Sequence, residues 1–309
     1  MRLSATWIAR ALALLAVLFW GAAYLLAKAV LVWLPPFAAA GARYAGAALI
    51  LLVVLAAQRG NPLRTLSGHW VGYLLMGFIG IAFFQAIFFA GLRFTSPVSA
   101  AVIMALTPVF TALGAAVFLG ESLTLWVIAG MVLSVTGAAL AVFGDNPRGI
   151  AGLSLDAGEP LVLLGALCMA FYTVASRRLM RKDVSALENT AIVLAVGAVF
   201  LLPLALYQAP DSPPASSAPV IALVALILGP TIIGYLAWNR ATATIGVAEP
   251  NLIFNFIPVV TMVLSALQGE RPWPEQVIGA ALVIGGVTLG MLHGSAAQDH
   301  RAGSTQPVH

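Results

Sequence analysis

The chain has 309 residues, of which 61% are hydrophobic and only 8% charged. A globular domain averages about 45–50% apolar and 25% charged residues, so a water-soluble fold of this length would lack the charge to cover its surface. With a mean hydropathy of +1.00, the composition excludes a disordered chain, a disulfide scaffold and an ordinary cytosolic enzyme, and points to a polytopic membrane protein.

A helix needs about 20 apolar residues to cross the hydrocarbon core. Ten stretches meet that length, at roughly 9–29, 36–57, 70–91, 96–119, 124–143, 159–178, 188–207, 219–239, 247–268 and 275–293. The predicted fold class is all-α, with ten transmembrane helices. The first stretch starts like a signal peptide, with Arg2 and Arg10 ahead of it and Gly21-Ala22-Ala23 inside it. Its apolar run continues to about Ala27, longer than a cleaved leader, so it reads as an uncleaved first span. Pro35-Pro36, Asn61-Pro62 and Asp145-Asn146-Pro147 punctuate the breaks, and the run from Gln208 to Pro219 reads as a solvated loop. From Gly294 onward the polar residues carry no apolar period, which predicts a disordered tail.

The net charge is +4. Basic residues fall mostly between the spans and form no patch with interleaved aromatics, so they read as topology signals and no nucleic-acid role is expected. With the N-terminus inside, the inner segments hold Arg2, Arg10, Arg59, Arg64, Arg177, Arg178, Arg181, Lys182, Arg240 and Arg301. The outer segments hold Lys28, Arg93, Arg148 and Arg271. That bias puts both termini in the cytoplasm of a cell whose inner membrane the chain spans. Cys168 is the one cysteine and lies in an apolar run, so it reads as a small buried residue. His69, His293, His300 and His309 are scattered and make no metal site. The chain has no Gly-rich loop ending in Lys-Ser/Thr, no HExxH and no GxSxG, so neither an ATP-driven pump nor an enzyme is expected, and no cofactor.

The two halves resemble each other. Pro108 of 94–120 aligns with Pro258 of 244–269 at an offset of 150. Gly120-Glu121 meets Gly269-Glu270 at 149, and Gly130 and Gly137 meet Gly279 and Gly286 at the same 149. Tyr24 and Tyr172 hold comparable places near the start of each half. The expected organisation is therefore a first five-helix repeat at 1–147, a second at 148–293 and a cytoplasmic tail at 294–309. Five is odd, so the second repeat enters from the opposite face. An inverted repeat places a site near the midplane and supports alternating access.

Several of these segments resemble the EamA-type transporters of the drug/metabolite transporter superfamily. Arg43-Tyr44-Ala45-Gly46-Ala47 resembles the family's second helix. Thr95-Ser96, Ala100-Ala101, Pro108 and Gly120-Glu121-Ser122-Leu123-Thr124 resemble its fourth, and Gly130 and Gly137 its fifth. The resemblance runs over roughly 9–293. Tyr235-Leu236-Ala237-Trp238-Asn239 also resembles a segment of the YddG-type amino-acid exporters. The resemblance implies ten helices around a central cavity and export of small metabolites, with amino acids, aromatic ones included, as the leading class.

Ionisable groups inside spans are expensive and mark candidate sites. Arg43 lies about seven residues, or roughly 10 Å, into the second span. It reads either as a contact for a substrate carboxylate or as a static anchor. Glu249 opens the ninth span and is the candidate proton carrier, or else a first-turn acid that complements the helix dipole. Gln85, Asn239 and Asn255 offer amides that either bind substrate or join helices. Trp20, Tyr24, Phe88, Tyr172 and Trp238 are candidates for an aromatic-lined cavity able to hold an ammonium group. Pro108 and Pro258 are the candidate hinges. Gly286 and Gly290 form GxxxG, which serves intrachain packing or dimerisation, so either a monomer or a weak dimer is expected.

These features predict a secondary transporter that exports small metabolites, most readily amino acids, with protons as the candidate coupling ion. Its partners are the substrate and the bilayer. The rival reading is a membrane helper or sensor subunit without transport.

Overall fold

A computed structural model describes residues 5–58, 61–120, 123–143, 158–179, 183–245, 250 and 253–303. The described residues are helical, and seven helices are long and apolar enough to cross a membrane, with three shorter apolar helices beside them. In chain order, with one short polar helix (α3) besides these ten, the helices are α1 (Ala5–Val30), α2 (Pro36–Ala57), α3 (Pro62–Gly68) and α4 (Trp70–Leu92). Then come α5 (Pro97–Met104, resuming as Thr107–Leu119), α6 (Leu125–Phe143), α7 (Gly158–Leu179) and α8 (Ala186–Tyr207). The last are α9 (Ala218–Ile245), α10 (Ile257–Leu267) and α11 (Pro274–Gly303).

Local chemistry sets the helix starts. Ser96 and Ser185 accept from the backbone N–H groups of Ser99 and Glu188, at 3.0 and 3.1 Å. Each hydroxyl satisfies an N–H that the first turn leaves free. The Asn61 side chain does the same for Arg64 at 3.1 Å, and Pro62 fits the first helical position. A short helix therefore fills part of the segment read from sequence as a break. Gly120 and Gly269, which end α5 and follow α10, have φ of +72° and +92°. No atom lies within 4 Å of a Cβ at either one. Glycine is needed there for the left-handed turn and not for space.

The expectations for three regions change. Pro108 and Pro258 do not sit inside continuous helices. Each falls in the first turn of a helix that restarts after a break, at Ala105-Leu106 and Asn255-Phe256. A proline there forfeits an N–H that has no intrahelical partner anyway. Helix α11 continues to Gly303, so residues 294–303 extend it where a disordered tail is expected. No proline interrupts the polar stretch from Ser295 to Arg301, so the helix can propagate.

Two helices contain π-helical segments, Phe78–Phe83 in α4 and Ile227–Ile233 in α9. They stand at matching places in the two halves. Pro230 explains the second one, because it lacks the N–H that an α-helical ladder needs.

Packing is close because the contact faces carry small residues. Helices α2 and α8 run antiparallel: Phe37 N donates to Gln208 Oε1 at 3.0 Å, and Gly41, one turn on, faces Ala205. Helices α6 and α11 are antiparallel too, with Gly130 against Gly286 and Gly137 against Gly279. A Cβ on any of these four glycines would run into the opposing backbone. The Ser134 hydroxyl sits in that seam and donates to Gly130 O at 2.8 Å. Gly286 and Gly290 thus serve packing within the chain. The main core lies elsewhere, where α1 packs on α9 and α10, and α7 on α4 and α5.

Candidate functional site

The polar centre of the core is built around the π segment of α9. Pro230 has no N–H, so the carbonyl of Leu226, four residues earlier, loses its usual donor. Thr231 Oγ1 donates to that carbonyl at 2.8 Å. The same oxygen accepts from Arg43 Nε at 2.8 Å. On the other flank Trp20 Nε1 donates to Pro230 O at 3.0 Å. Trp20 of α1 thus bonds the α9 backbone directly, and Arg43 of α2 bonds the threonine hydroxyl that serves the Leu226 carbonyl. The Arg43 side chain is buried, at 5% exposure. Thr231 partners it, which supports the anchoring role of this arginine.

Trp20 also heads an aromatic box. Its ring centroid lies 5.2 Å from Trp238, 5.5 Å from Phe254 and 5.7 Å from Tyr235, and Trp238 is 5.6 Å from Phe254. Tilted and edge-to-face geometries at these distances are the favoured aromatic contacts. One turn along α1, Tyr24 meets Phe88 edge-on at 5.6 Å.

A polar group gathers around Tyr44. The Arg43 guanidinium lies 5.1 Å from the Tyr44 ring centroid, a cation–π distance. Tyr24, Tyr44 and Tyr235 are all within electrostatic range of Arg43, and Tyr172 is within range of Tyr44. Gln85 faces the Tyr44 hydroxyl. The two approach without completing a hydrogen bond: Tyr44 OH and Gln85 Oε1 are buried and have no partner in bonding geometry. Such groups are rare in folded proteins and call for an explanation. Tyr172 packs on Gly80 in the π segment of α4, where any Cβ would collide with its ring.

The structure thus brings together Trp20 with Trp238, Tyr24 with Phe88, and Arg43, Gln85 and Tyr172 around Tyr44. It places Asn239 apart from them, donating to Thr190 Oγ1 at 3.4 Å in a long bond within the second half. Asn255 is buried at the break before α10, and its Nδ2 has no partner. Glu249 lies outside the described residues. Sequence reasoning did not single out Thr231, Tyr44 or Phe254. A threonine directly after a mid-span proline was the signal for Thr231. Among the described residues no three His, Cys, Asp or Glu side chains gather into a metal site. A separate groove of about 720 Å³ runs between α10 and α11, lined by residues such as Val259, Met262, Ala280 and Leu289, and includes none of the aromatic box.

The EamA-like transporter family matches residues 7–143 and again 156–292. The chain belongs to the EamA-like transporter family. Within this EamA-like chain the doubled match covers the doubled features, namely the two π segments, the two helix breaks and the two left-handed glycines. The chain is 36% identical over 276 residues to the "Uncharacterized transporter YyaM" of Bacillus subtilis, covering 87% of this chain and 89% of that one. It is 33% identical over 217 residues to a protein of Streptantibioticus cattleyicolor named "Probable terminal-alkyne amino-acid exporter", covering 70% and 71%. A solved crystal structure superposes with a TM-score of 0.66 at 25% identity, covering 94% of this chain and 98% of the other. The protein is a multi-pass membrane transporter by family, and these names speak for transport and against an enzyme.

Proposed function

We propose that this EamA-like transporter exports amino acids, aromatic ones included, across the inner membrane by alternating access between two inverted five-helix repeats. Its three shorter apolar helices complete a set of ten spans. The observation that carries the reading is the place of the aromatic box and of the Arg43 group. Both join residues of the two halves and touch the π segment of α9, and Tyr172 of the Arg43 group also packs on that of α4. Corresponding helices from the two halves, α2 with α8 and α6 with α11, pack antiparallel. That is the relation an inverted repeat requires.

The substrate class follows from the chemistry of the lining. Aromatic faces take an apolar side chain and an ammonium group. Tyr44 OH, Gln85 Oε1 and Asn255 Nδ2 are unpaired acceptors and donors in a low-dielectric site, suited to a small zwitterion. The relative named as an amino-acid exporter adds support. Loop charges favour both termini in the cytoplasm. Trp20, Tyr24, Arg43, Gln85, Phe88, Tyr172, Trp238 and Asn255 are the proposed lining, with Asn239 supporting it from behind. The restarts at Pro108 and Pro258 are the proposed hinges.

The test is counterflow in liposomes that contain only this protein, over an amino-acid panel and with internal pH varied. Saturable flux that falls on Trp20→Ala supports the proposal. No flux from folded protein across the panel overturns it and favours the helper reading. Glu249 is the proposed proton carrier: Glu249→Gln removes the pH response of flux, and an unchanged response excludes that role.

A further inference from the structure

One end of the bundle is tied shut by groups that the central site does not use. Lys28, near the C-terminus of α1, donates from Nζ to three carbonyls, Leu92 O at 2.7 Å, Thr95 O at 2.8 Å and Arg93 O at 3.2 Å. An ammonium group has three donors, and all three are spent on the end of α4 and the turn into α5. Leu92 O and Arg93 O lie at the negative end of α4, where a cation is most stabilised. Thr95 in turn donates from Oγ1 to Glu159 Oε1 at 2.6 Å, reaching the first turn of α7 in the other half. The second carboxylate oxygen of Glu159 is buried without a partner. Glu270, beyond α10, lies within electrostatic range of Lys28.

Beneath these bonds the backbones nearly touch. A Cβ on Gly158 would lie 2.6 Å from Gly91 O, and one on Gly91 would lie 2.8 Å from Gly158 O. The internal repeat does not mirror this glycine pair at the opposite end. The register of 149 that relates the halves carries Gly91 to Arg240 and Gly158 to Ala9. Neither is a glycine, and Arg240 is exposed. The Gly91–Gly158 pair therefore has no repeat-related counterpart, although at the opposite end of the same two helices a Cβ on Gly72 would lie 3.0 Å from Leu179 O, and at that end of the bundle Thr65 Oγ1 donates to Glu188 Oε1.

We infer that Lys28, Thr95 and Glu159 form a latch that closes this end of the transport path, and that opening requires the Thr95–Glu159 bond to break and α7 to leave the Gly91 seam. Lys28 holds the turn that presents Thr95, and Glu270 offers its ammonium an alternative anionic partner once the turn moves. This inference rests on the transport reading, and its first readout needs no substrate.

The experiment uses the full chain with Cys168→Ala in membrane vesicles. Ser99 is buried just inside the latch, at 8% exposure. A reporter cysteine, Ser99→Cys, is treated with a membrane-impermeant maleimide from either side. Lys28→Met should raise its labelling about tenfold, as a one-decade shift in the open–closed equilibrium would, and Lys28→Arg should leave it low. Equal labelling with and without the lysine, in protein with an unchanged elution profile, overturns the latch. In a second arm, Thr95→Cys with Glu159→Cys is oxidised and the cross-linked peptide is identified by mass spectrometry. Cross-linking should abolish counterflow, with recovery on reduction. No cross-link, or full counterflow from cross-linked protein, also overturns the inference. Should the unmodified protein carry no amino acid, the labelling arm still decides on the latch, so the two failures remain distinct.

Discussion

Arg43 and Thr231 stand 188 residues apart in the chain and 2.8 Å apart in space. Their bond braces a helix: the threonine hydroxyl that accepts from the arginine donates to the carbonyl that Pro230 deprives of its usual donor. A buried cation in a membrane protein is thereby tied to the π segment that distinguishes α9.

Thr231→Val removes the shared hydroxyl and leaves both Leu226 O and Arg43 Nε without it. The π-helical backbone bond from Thr231 N still serves Leu226 O, so the main loss is the Arg43 partner, and an unsatisfied buried donor costs about 1–3 kcal/mol. We expect a lower unfolding midpoint in detergent, with Thr231→Ser close to the parent. Arg43→Lys should resemble Thr231→Val, because an ammonium on a flexible stem lacks the planar fork and its Nε. A parental midpoint for either variant would show that the bond is dispensable.

Trp20 combines an indole N–H bond with three ring contacts, and two substitutions separate them. Trp20→Phe keeps an aromatic face and loses the bond to Pro230 O, at a cost of about 0.5–1.5 kcal/mol. Trp20→Ala loses both and should be the more damaging to stability and to counterflow. If the two variants behave alike, the aromatic box contributes nothing beyond the N–H.

Neighbouring glycines of α11 should respond in opposite ways. Gly286 faces Gly130 O and Ser134, and has no room for a Cβ, whereas nothing lies within 4 Å of a Cβ at Gly285. Gly286→Ala should separate α6 from α11 and lower the unfolding midpoint, and Gly285→Ala should be tolerated. Equal effects of the two would contradict the seam.

Gly80 and Tyr172 should be coupled. Gly80→Ala drives a methyl group into the Tyr172 ring. Tyr172→Ala in the same chain opens that space and should recover part of the loss. A double-mutant cycle reads the coupling, and neighbours in contact give about 0.5–3 kcal/mol. Strict additivity would show that the π segment of α4 does not depend on this contact.

Features governed by local chemistry were legible without coordinates. Membrane residence follows from composition, since lipid accepts apolar side chains that water rejects. The offset of 149 that aligns Gly120 with Gly269 marked them as equivalent positions of the repeat, and both glycines adopt left-handed backbone. The paired glycines at 130, 137, 279 and 286 were visible as a pattern, though not as a seam that joins them to one another. The starts of α5 and α8 reflect serine caps that act within three residues.

Contacts between distant spans were not legible in this way. Pro108 and Pro258 looked like kinks, and only the backbone showed that each begins a new helix segment. Arg43 stood out as costly, but its partner Thr231 emerged only from the packing of α2 on α9. Trp20 finds Pro230 O across 210 residues, and Tyr172 finds Gly80 on another helix. The sequence alone determined that the chain enters a membrane, roughly where its apolar spans lie, and that its halves repeat, because hydrophobic partition acts over each span independently. The tertiary structure alone decided which side chains meet on the seam, because that depends on how each helix rotates and how closely its small residues let it approach a neighbour.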